Sequence, residues 1–319
     1  MINQSESVRP SNWLDFSGQP QVVKSLKIAI SAAKSRGEPM EHTLLYGPPG
    51  LGKTTLAHII ANEMGVNLKI TSGPALTRAG DLASILTALE PGDVLFIDEI
   101  HRLSKTVEEA LYPAMEDYAI DIILGKGPAA KNLRLDLNPF TLVGATTQAG
   151  RISSPLRDRF GIVHRLRFYI PEELQIIIQN AAKKFGLILN DQSTLEIAKR
   201  SRGTARIALK LLRRARDYTL VENNSITTPD NIKTSLDFYQ VDQEGLDETD
   251  RRLLRAIIEQ HGGGPVGLET LAALISESID TITDLYEPYL LQSGFLSKTS
   301  KGRVATEKAY NHLGLKTRK

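Results

Sequence analysis

The run Gly47-Pro48-Pro49-Gly50-Leu51-Gly52-Lys53-Thr54 follows the pattern G-x-x-x-x-G-K-[ST], whose residue types suit a polyphosphate. Glycines at Gly47, Gly50 and Gly52 let backbone N–H groups curl around phosphate oxygens. A helix starting where the loop ends adds its partial positive charge. Lys53 is expected to reach the β- and γ-phosphates of a nucleoside triphosphate, ATP, and the Thr54 hydroxyl to ligate Mg2+. Thr55 can donate a further hydrogen bond. Such a site needs a second half, an apolar strand ending in acid, and Val94-Leu95-Phe96-Ile97-Asp98-Glu99 supplies it. Asp98 is expected to hold the Mg2+ ion or its waters, and Glu99 to polarise the attacking water as general base. His101 follows in the same run; it is either a residue behind Glu99 or a surface or packing histidine.

These groups must be carried by a strand before the loop and a helix after it. Leu44-Leu45-Tyr46 reads as that strand, and Leu56, Ile59, Ile60 and Met64 share one face of the helix. Residues 20–36 also have helical spacing, while 68–70, 94–97 and 141–145 are apolar runs of buried-strand length. Strands alternating with helices predict an α/β domain over 1–170, a parallel sheet with helices on both faces. From Pro171 the pattern turns helical with little strand signal, which predicts a small all-helical domain over 171–241. Residues 237–250 hold six acidic and no basic residues and read as a linker. The remaining segment, 242–319, shows three helical patterns and then FLSKTSKGRVAT, two extended pieces around Ser300-Lys301-Gly302. Helices followed by a small basic hairpin predict a winged helix-turn-helix.

Composition limits the function classes. The 319 residues contain 39 Lys+Arg against 37 Asp+Glu, a net charge of only +2, so any nucleic-acid surface must come from charge distribution. There is no cysteine, which removes disulfides, thiolate metal sites and cysteine nucleophiles together. No apolar run approaches the ~20 residues of a membrane span, and the first residues lack a signal-peptide core, so a cytoplasmic protein with no membrane partner is expected. Residues 199–216 carry eight basic residues and no acid, for nucleotide sensing, subunit contact or simple solvation. Residues 298–319 carry seven basic residues against Glu307. There Lys298, Lys301 and Arg303 flank the wing turn, where they are expected to reach DNA phosphates or the minor groove.

GPPGLGKTT together with LFIDEIHRL resembles the AAA+ ATPases. TSGPAL (71–76), EEALYPAMEDYAIDIILGKGPAA (108–130), GATTQAG (144–150), SSPLRDRFGIV (153–163), RSRGTARIALKLLRRARD (200–217) and GGGPVGLETLA (262–272) narrow the resemblance to the RuvB family, over about Arg9 to Leu313. Those proteins are hexameric motors of bacterial Holliday-junction branch migration. The resemblance implies that Thr146 senses the γ-phosphate, that Arg159 is an arginine finger reaching the neighbouring subunit's ATP, and that Arg206 is a second sensor. The sequence alone does not choose Arg159 over Arg157. It further implies that Val8, Arg9 and Tyr169 line the base pocket, and that Glu116, Asp117 and Tyr118 lie where subunits meet around nucleotide. Residues 119–137 read as a hairpin around Gly125–Pro128. The resemblance implies that this hairpin docks the partner RuvA through Ile120, Ile122 and Leu124, with RuvC joining a resolving complex. The wing KTSKGR stands where RTPRGR is usual, Gln148 where Arg is usual, and FSGQ (16–19) where YIGQ is usual. The expected function is an ATP-driven, homohexameric DNA motor on duplex DNA. A clamp-loader-like ATPase and a nucleotide-gated DNA-binding regulator without turnover are the alternatives.

Overall fold

The computed structural model describes residues 8–124, 131–222 and 228–316. The chain forms two units: Met1–Gly47 with Leu51–Arg167, and Pro48–Gly50 with Phe168–Lys319. The first unit begins with α1 (Pro20–Arg36), β1 (Thr43–Tyr46), α2 (Lys53–Met64), β2 (Leu68–Ser72), α3 (Ala79–Leu86) and β3 (Val94–Asp98). It continues through α4 (Lys105–Glu116), the pair β4 (Ala119–Leu124) and β5 (Lys131–Asp136), then β6 (Thr141–Thr146), α5 (Ser154–Asp158) and β7 (Ile162–Arg165). Five strands form one parallel sheet in the order β2-β3-β6-β1-β7, and β4-β5 is a separate antiparallel pair.

The sheet's centre and edges follow from side-chain type. β3 is buried over Val94–Ile97 and β6 along its whole length, as strands covered on both faces must be. The edge strand β7 alternates half-buried and exposed residues, and its sequence, Ile162-Val163-His164-Arg165, is too short and polar to read as a buried strand. β2 is the other edge, with Ile70 53% exposed, so a run that reads as a buried strand is a border strand. Gly144 in β6 is required by packing: a Cβ there would lie 3.0 Å from both Ile100 and Phe160. In this register Tyr46 pairs with Thr146 and Ile97 with Gly144, so the carboxyl ends of three central strands lie side by side.

The second unit starts with α6 (Pro171–Lys184), α7 (Asp191–Lys199), α8 (Ala205–Glu222) and α9 (Pro229–Phe238). Asn190 and Thr228 cap α7 and α9 through their side chains. Then come α10 (Glu248–Arg255), α11 (Leu268–Ile275), α12 (Ile279–Thr281), α13 (Glu287–Gln292), the hairpin β8 (Leu296–Thr299) and β9 (Gly302–Ala305), and α14 (Glu307–Leu313). The boundary expected at 241–242 falls inside this unit, and buried ion pairs bridge it. Arg202 takes a left-handed backbone (φ 50°) and donates to the Gly245 carbonyl at 2.7 Å and to the side-chain oxygens of Asp247 and Asp250. Arg200 is fully buried, donating to Glu196, Asp237 and the Val241 carbonyl. The eight-base run at 199–216 is therefore not one exposed patch on a helix. Arg200 and Arg202 precede α8 and point inward, and Arg213, Arg214 and Arg216 stack on Phe185 and Tyr239.

Asp250 is fully buried, and its Oδ1 has no hydrogen-bond partner. Burial pushes its carboxyl up to about 7, against the pull of Arg202. Burial also raises Asp247, but Arg202 and hydrogen bonds from Asp250 outweigh it and hold Asp247 below the usual range. The folded chain thus keeps a proton on Asp250 that the unfolded chain releases near pH 4. Stability from this group is fully present below that pH and is lost as pH rises towards 7. Asp250→Asn should flatten this slope. The check is the urea midpoint for hydrogen exchange of the α10 amides between pH 5 and pH 8, falling with pH in the parent and level in the variant.

Candidate nucleotide site and winged head

The phosphate loop leaves β1 at Tyr46 and enters α2 at Lys53. The Gly47 amide donates to the Thr146 carbonyl at 3.1 Å, which pins the loop's first residue to the end of β6. Gly47, Gly50 and Gly52 have φ of 142°, 82° and 96°, a region that side chains rarely enter. A Cβ on Gly47 would lie 2.6 Å from the Leu166 carbonyl oxygen, and one on Gly50 2.9 Å from the Arg206 Cβ. No side-chain hydrogen bond caps the start of α2, where Gly52 takes the N-cap position. Lys53 is buried there, its ammonium donating to the Gly47 carbonyl at 2.7 Å. A glycine cradle, an uncapped helix start and a buried ammonium fit a polyphosphate. Thr54 and Asp98 offer oxygens of the kind Mg2+ takes alongside phosphates. Among the described residues there is no cluster of three or more His, Cys, Asp or Glu able to hold a metal ion.

The acidic half lies at the end of β3. Asp98 Oδ1 accepts from the Glu99 amide at 3.0 Å. Glu99 has a left-handed backbone, φ 47°, and begins the short turn Ile100–Arg102. Its Oε2 accepts from the Thr147 hydroxyl at 3.1 Å and lies 3.2 Å from His101 Nδ1. Thr146, fully buried, has its Oγ1 2.9 Å from the same His101 nitrogen and accepts from the Gln148 amide at 2.9 Å. Gln148 thus serves Thr146 through its backbone, whichever side chain it carries. Thr147 and His101 are the contacts that sequence reading left unassigned; the doubled threonine of GATT was the available signal for the first.

Arg159 closes α5. Its guanidinium donates to the Pro155 carbonyl at 2.7 Å and to Glu116 at 3.2 Å and lies 4.3 Å from the centre of the Tyr112 ring. Arg159 and Glu116, two expected interface residues, are therefore brought together, while Arg157 is exposed. Asp117 pairs with Arg134 at 2.9 Å. The Tyr118 ring packs on Phe140 and His42 at the edge of the core. Val8 is buried, and exposed Arg9 meets His58 of α2 at 2.7 Å. Tyr169 and Arg206 belong to the second unit. There Tyr169 is buried with its amide on the Gly203 carbonyl, and Arg206 is exposed with its amide on Gly50. Ile120 is a correction: it is fully buried in the first unit's core and so does not face a partner. The Ile122 and Leu124 side chains and the turn Gly125–Pro128 lie outside the described residues.

The hairpin β8-β9 exposes Lys298 and Lys301, as expected of a wing. Arg303 does the opposite. It is 8% exposed, and Glu287 of α13 takes both Nε and Nη2 at 3.0 Å. Its backbone pairs both ways with Val266, so β9 gains a bridge on its outer side. The charge expected on DNA is instead paired inside the head, because a buried acid from another helix takes two of the guanidinium's nitrogens.

The parallel sheet with a phosphate loop after β1 and acids at the end of β3, followed by a helical and a winged segment, is that of a P-loop AAA+ ATPase. Residues 8–166 match the Holliday junction DNA helicase RuvB P-loop domain, 169–242 the RuvB AAA lid domain, and 243–314 the RuvB C-terminal winged helix domain. The structure is similar to the Thermotoga maritima RuvB Holliday junction branch migration motor, at 51% identity over 98% of this chain and 100% of that one, with TM-score 0.90. A Lys-to-Arg variant of Thermotoga maritima RuvB is also similar, at 52% identity over 98% and 99% of the two chains and TM-score 0.90. The chain belongs to the RuvB family.

Two measurements check this geometry. Lys53→Ala should weaken ATP binding by about 2–5 kcal/mol, since it removes a buried charge from the phosphates; titration calorimetry reads it. Glu287→Ala should destabilise the head by about 3–5 kcal/mol by stranding Arg303, whereas replacing both residues by Met should be near neutral. Thermal unfolding distinguishes the two.

Proposed function

We propose that this chain is an ATP-driven DNA motor that catalyses branch migration of Holliday junctions in homologous recombination and repair, as a homohexameric ring around duplex DNA. One observation carries the reading. A phosphate loop with an acid-ended strand and a winged-helix segment stand on one chain that is 51% identical, nearly end to end, to a branch migration motor. A winged head in place of a helical collar favours a DNA motor over a clamp loader. In this reading 1–170, 171–241 and 242–319 act as ATPase domain, lid and DNA-contacting head.

The proposed mechanism runs through named side chains. Lys53 and the loop amides neutralise the phosphates of ATP, and Thr54 and Asp98 hold Mg2+. The metal, when bound, offsets charge on the phosphate oxygens. Glu99 accepts a proton from the attacking water, and the Thr146 hydroxyl donates to the γ-phosphate. Arg206 reads the same phosphate from the lid, and Arg159 reads it from the neighbouring subunit. Within one chain Glu116 and Tyr112 keep the Arg159 guanidinium, a partly exposed position from which docking on a neighbour would draw it. Val8, Arg9 and Tyr169 enclose the base, and Asp117 joins Glu116 at the subunit boundary. Lys298 and Lys301 touch the DNA backbone, since a translocating motor cannot depend on one base sequence. RuvA docks on the hairpin 119–137 and RuvC joins the resolving complex. The motor works on DNA in the cytoplasm in this reading; separately, no helix among the described residues is long and apolar enough to cross a membrane.

A branch-migration assay on a four-way junction with ATP, with and without RuvA, tests the reading. Product that depends on ATP and rises with RuvA is expected, and its absence sinks the proposal. Glu99→Gln should keep ATP affinity within about twofold and lose turnover by about two orders of magnitude or more. Joint replacement of Lys298 and Lys301 by Ala should lower the slope of log affinity against log salt by about 1.8 on duplex DNA, two phosphate contacts at ~0.9 each.

A further inference from the structure

We propose that His101 is a positioning residue that couples the phosphate-sensing Thr146 to the general base Glu99. The inference rests on the roles given to those two residues above. The His101 ring is nearly closed to solvent, its side chain 4% exposed. Its Nδ1 stands 2.9 Å from Thr146 Oγ1 and 3.2 Å from Glu99 Oε2, so one nitrogen faces both groups. A lone pair on Nδ1 would face the Glu99 carboxylate at that distance, an electrostatic conflict. Nδ1 therefore carries the proton and shares it between the two oxygens.

That assignment fixes the direction of the neighbouring bonds. Thr146 Oγ1 accepts from the Gln148 amide and from His101, which fills both lone pairs and leaves its hydroxyl hydrogen free to donate outwards. On Glu99, Oε2 receives Thr147 and His101, while Oε1 carries neither bond and is the oxygen left to take a proton from water. The backbone holds this arrangement. Glu99 starts the turn that carries His101, and a Cβ on Gly73 would lie 2.4 Å from the Glu99 carbonyl, so the two backbone segments approach as closely as glycine permits. When the outward bond of Thr146 is lost with the γ-phosphate, the shared His101 proton passes that change to the Glu99 carboxylate.

The test uses the full chain with ATP and four-way junction DNA. His101→Leu fills the space without a donor. It should lower kcat by roughly ten- to hundredfold, with KM and ATP affinity within about twofold, because orientation and not binding is lost. His101→Asn places an N–H near the Nδ1 position and should restore most of the rate, while His101→Gln, whose amide reaches the Nε2 position, should not. If His101→Leu fails to fold, the Asn and Gln variants decide. The double variant His101→Leu/Thr146→Ala should lose little more than Thr146→Ala alone, whereas a merely structural role would make the losses multiply. Parental kcat in His101→Leu, equal rates in Asn and Gln, or independent losses would each overturn the proposal. Turnover retained in Glu99→Gln would instead overturn the role given to Glu99, a separate failure.

Discussion

The hydrogen bond from the Gly47 amide to the Thr146 carbonyl ties the phosphate loop to the end of the neighbouring strand. It closes the β1-β6 ladder, in which Tyr46 stands opposite Thr146, and β6 in turn pairs with β3, whose last residue is Asp98. The glycine cradle, the Thr146 hydroxyl and the acids thereby share the carboxyl end of the sheet. Shifting a strand by one residue would turn each of these side chains to the opposite face. Tight contacts at Gly47, Gly144 and Gly73 accompany this arrangement, since each lets backbone or aromatic groups come within reach where a Cβ would collide.

Buried charge is the second unit's organising feature. Arg200, Arg202 and Arg303 are all inside, each claimed by carboxylates and by backbone carbonyls or a strand bridge. Such pairs are weak sources of stability but demand particular partners, because an unmatched charge in the interior costs several kcal/mol. They link the end of α7 to α9 and to the start of α10, and they fasten the wing to α13. Arg303 so becomes part of the wing's mounting, while Lys298 and Lys301 remain at its surface. The same partnerships explain why a charge count over 199–216 overstates the surface field: two of its members are neutralised within the fold.

Local signals and long-range contacts separate what could be read beforehand. The helix expected at 20–36 spans Pro20–Arg36, because a proline at its start, Gly37 after its end and an apolar face at helical spacing all lie in one segment. The central strands were legible for the same reason, their apolar runs being continuous. β7 was not, since an edge strand needs only half its residues buried and its pairing with β1 is not written in its own residues. Ile120, expected on the docking face of the hairpin 119–137, turns into the core instead, because hairpin alternation does not say which face meets the core.

By itself the sequence determined the phosphate loop, the acid-ended strand and the succession of sheet, helical and winged segments. Those depend on residue types within one turn or one strand of each other. Only the tertiary structure decided that His101 bridges Thr146 and Glu99, that Glu116 keeps Arg159, and that Glu287 takes Arg303 from the surface. The physical reason is range. A charged or polar side chain settles where its counter-group lies in space, and those partners sit up to 45 residues away along the chain, on elements whose proximity arises only on folding.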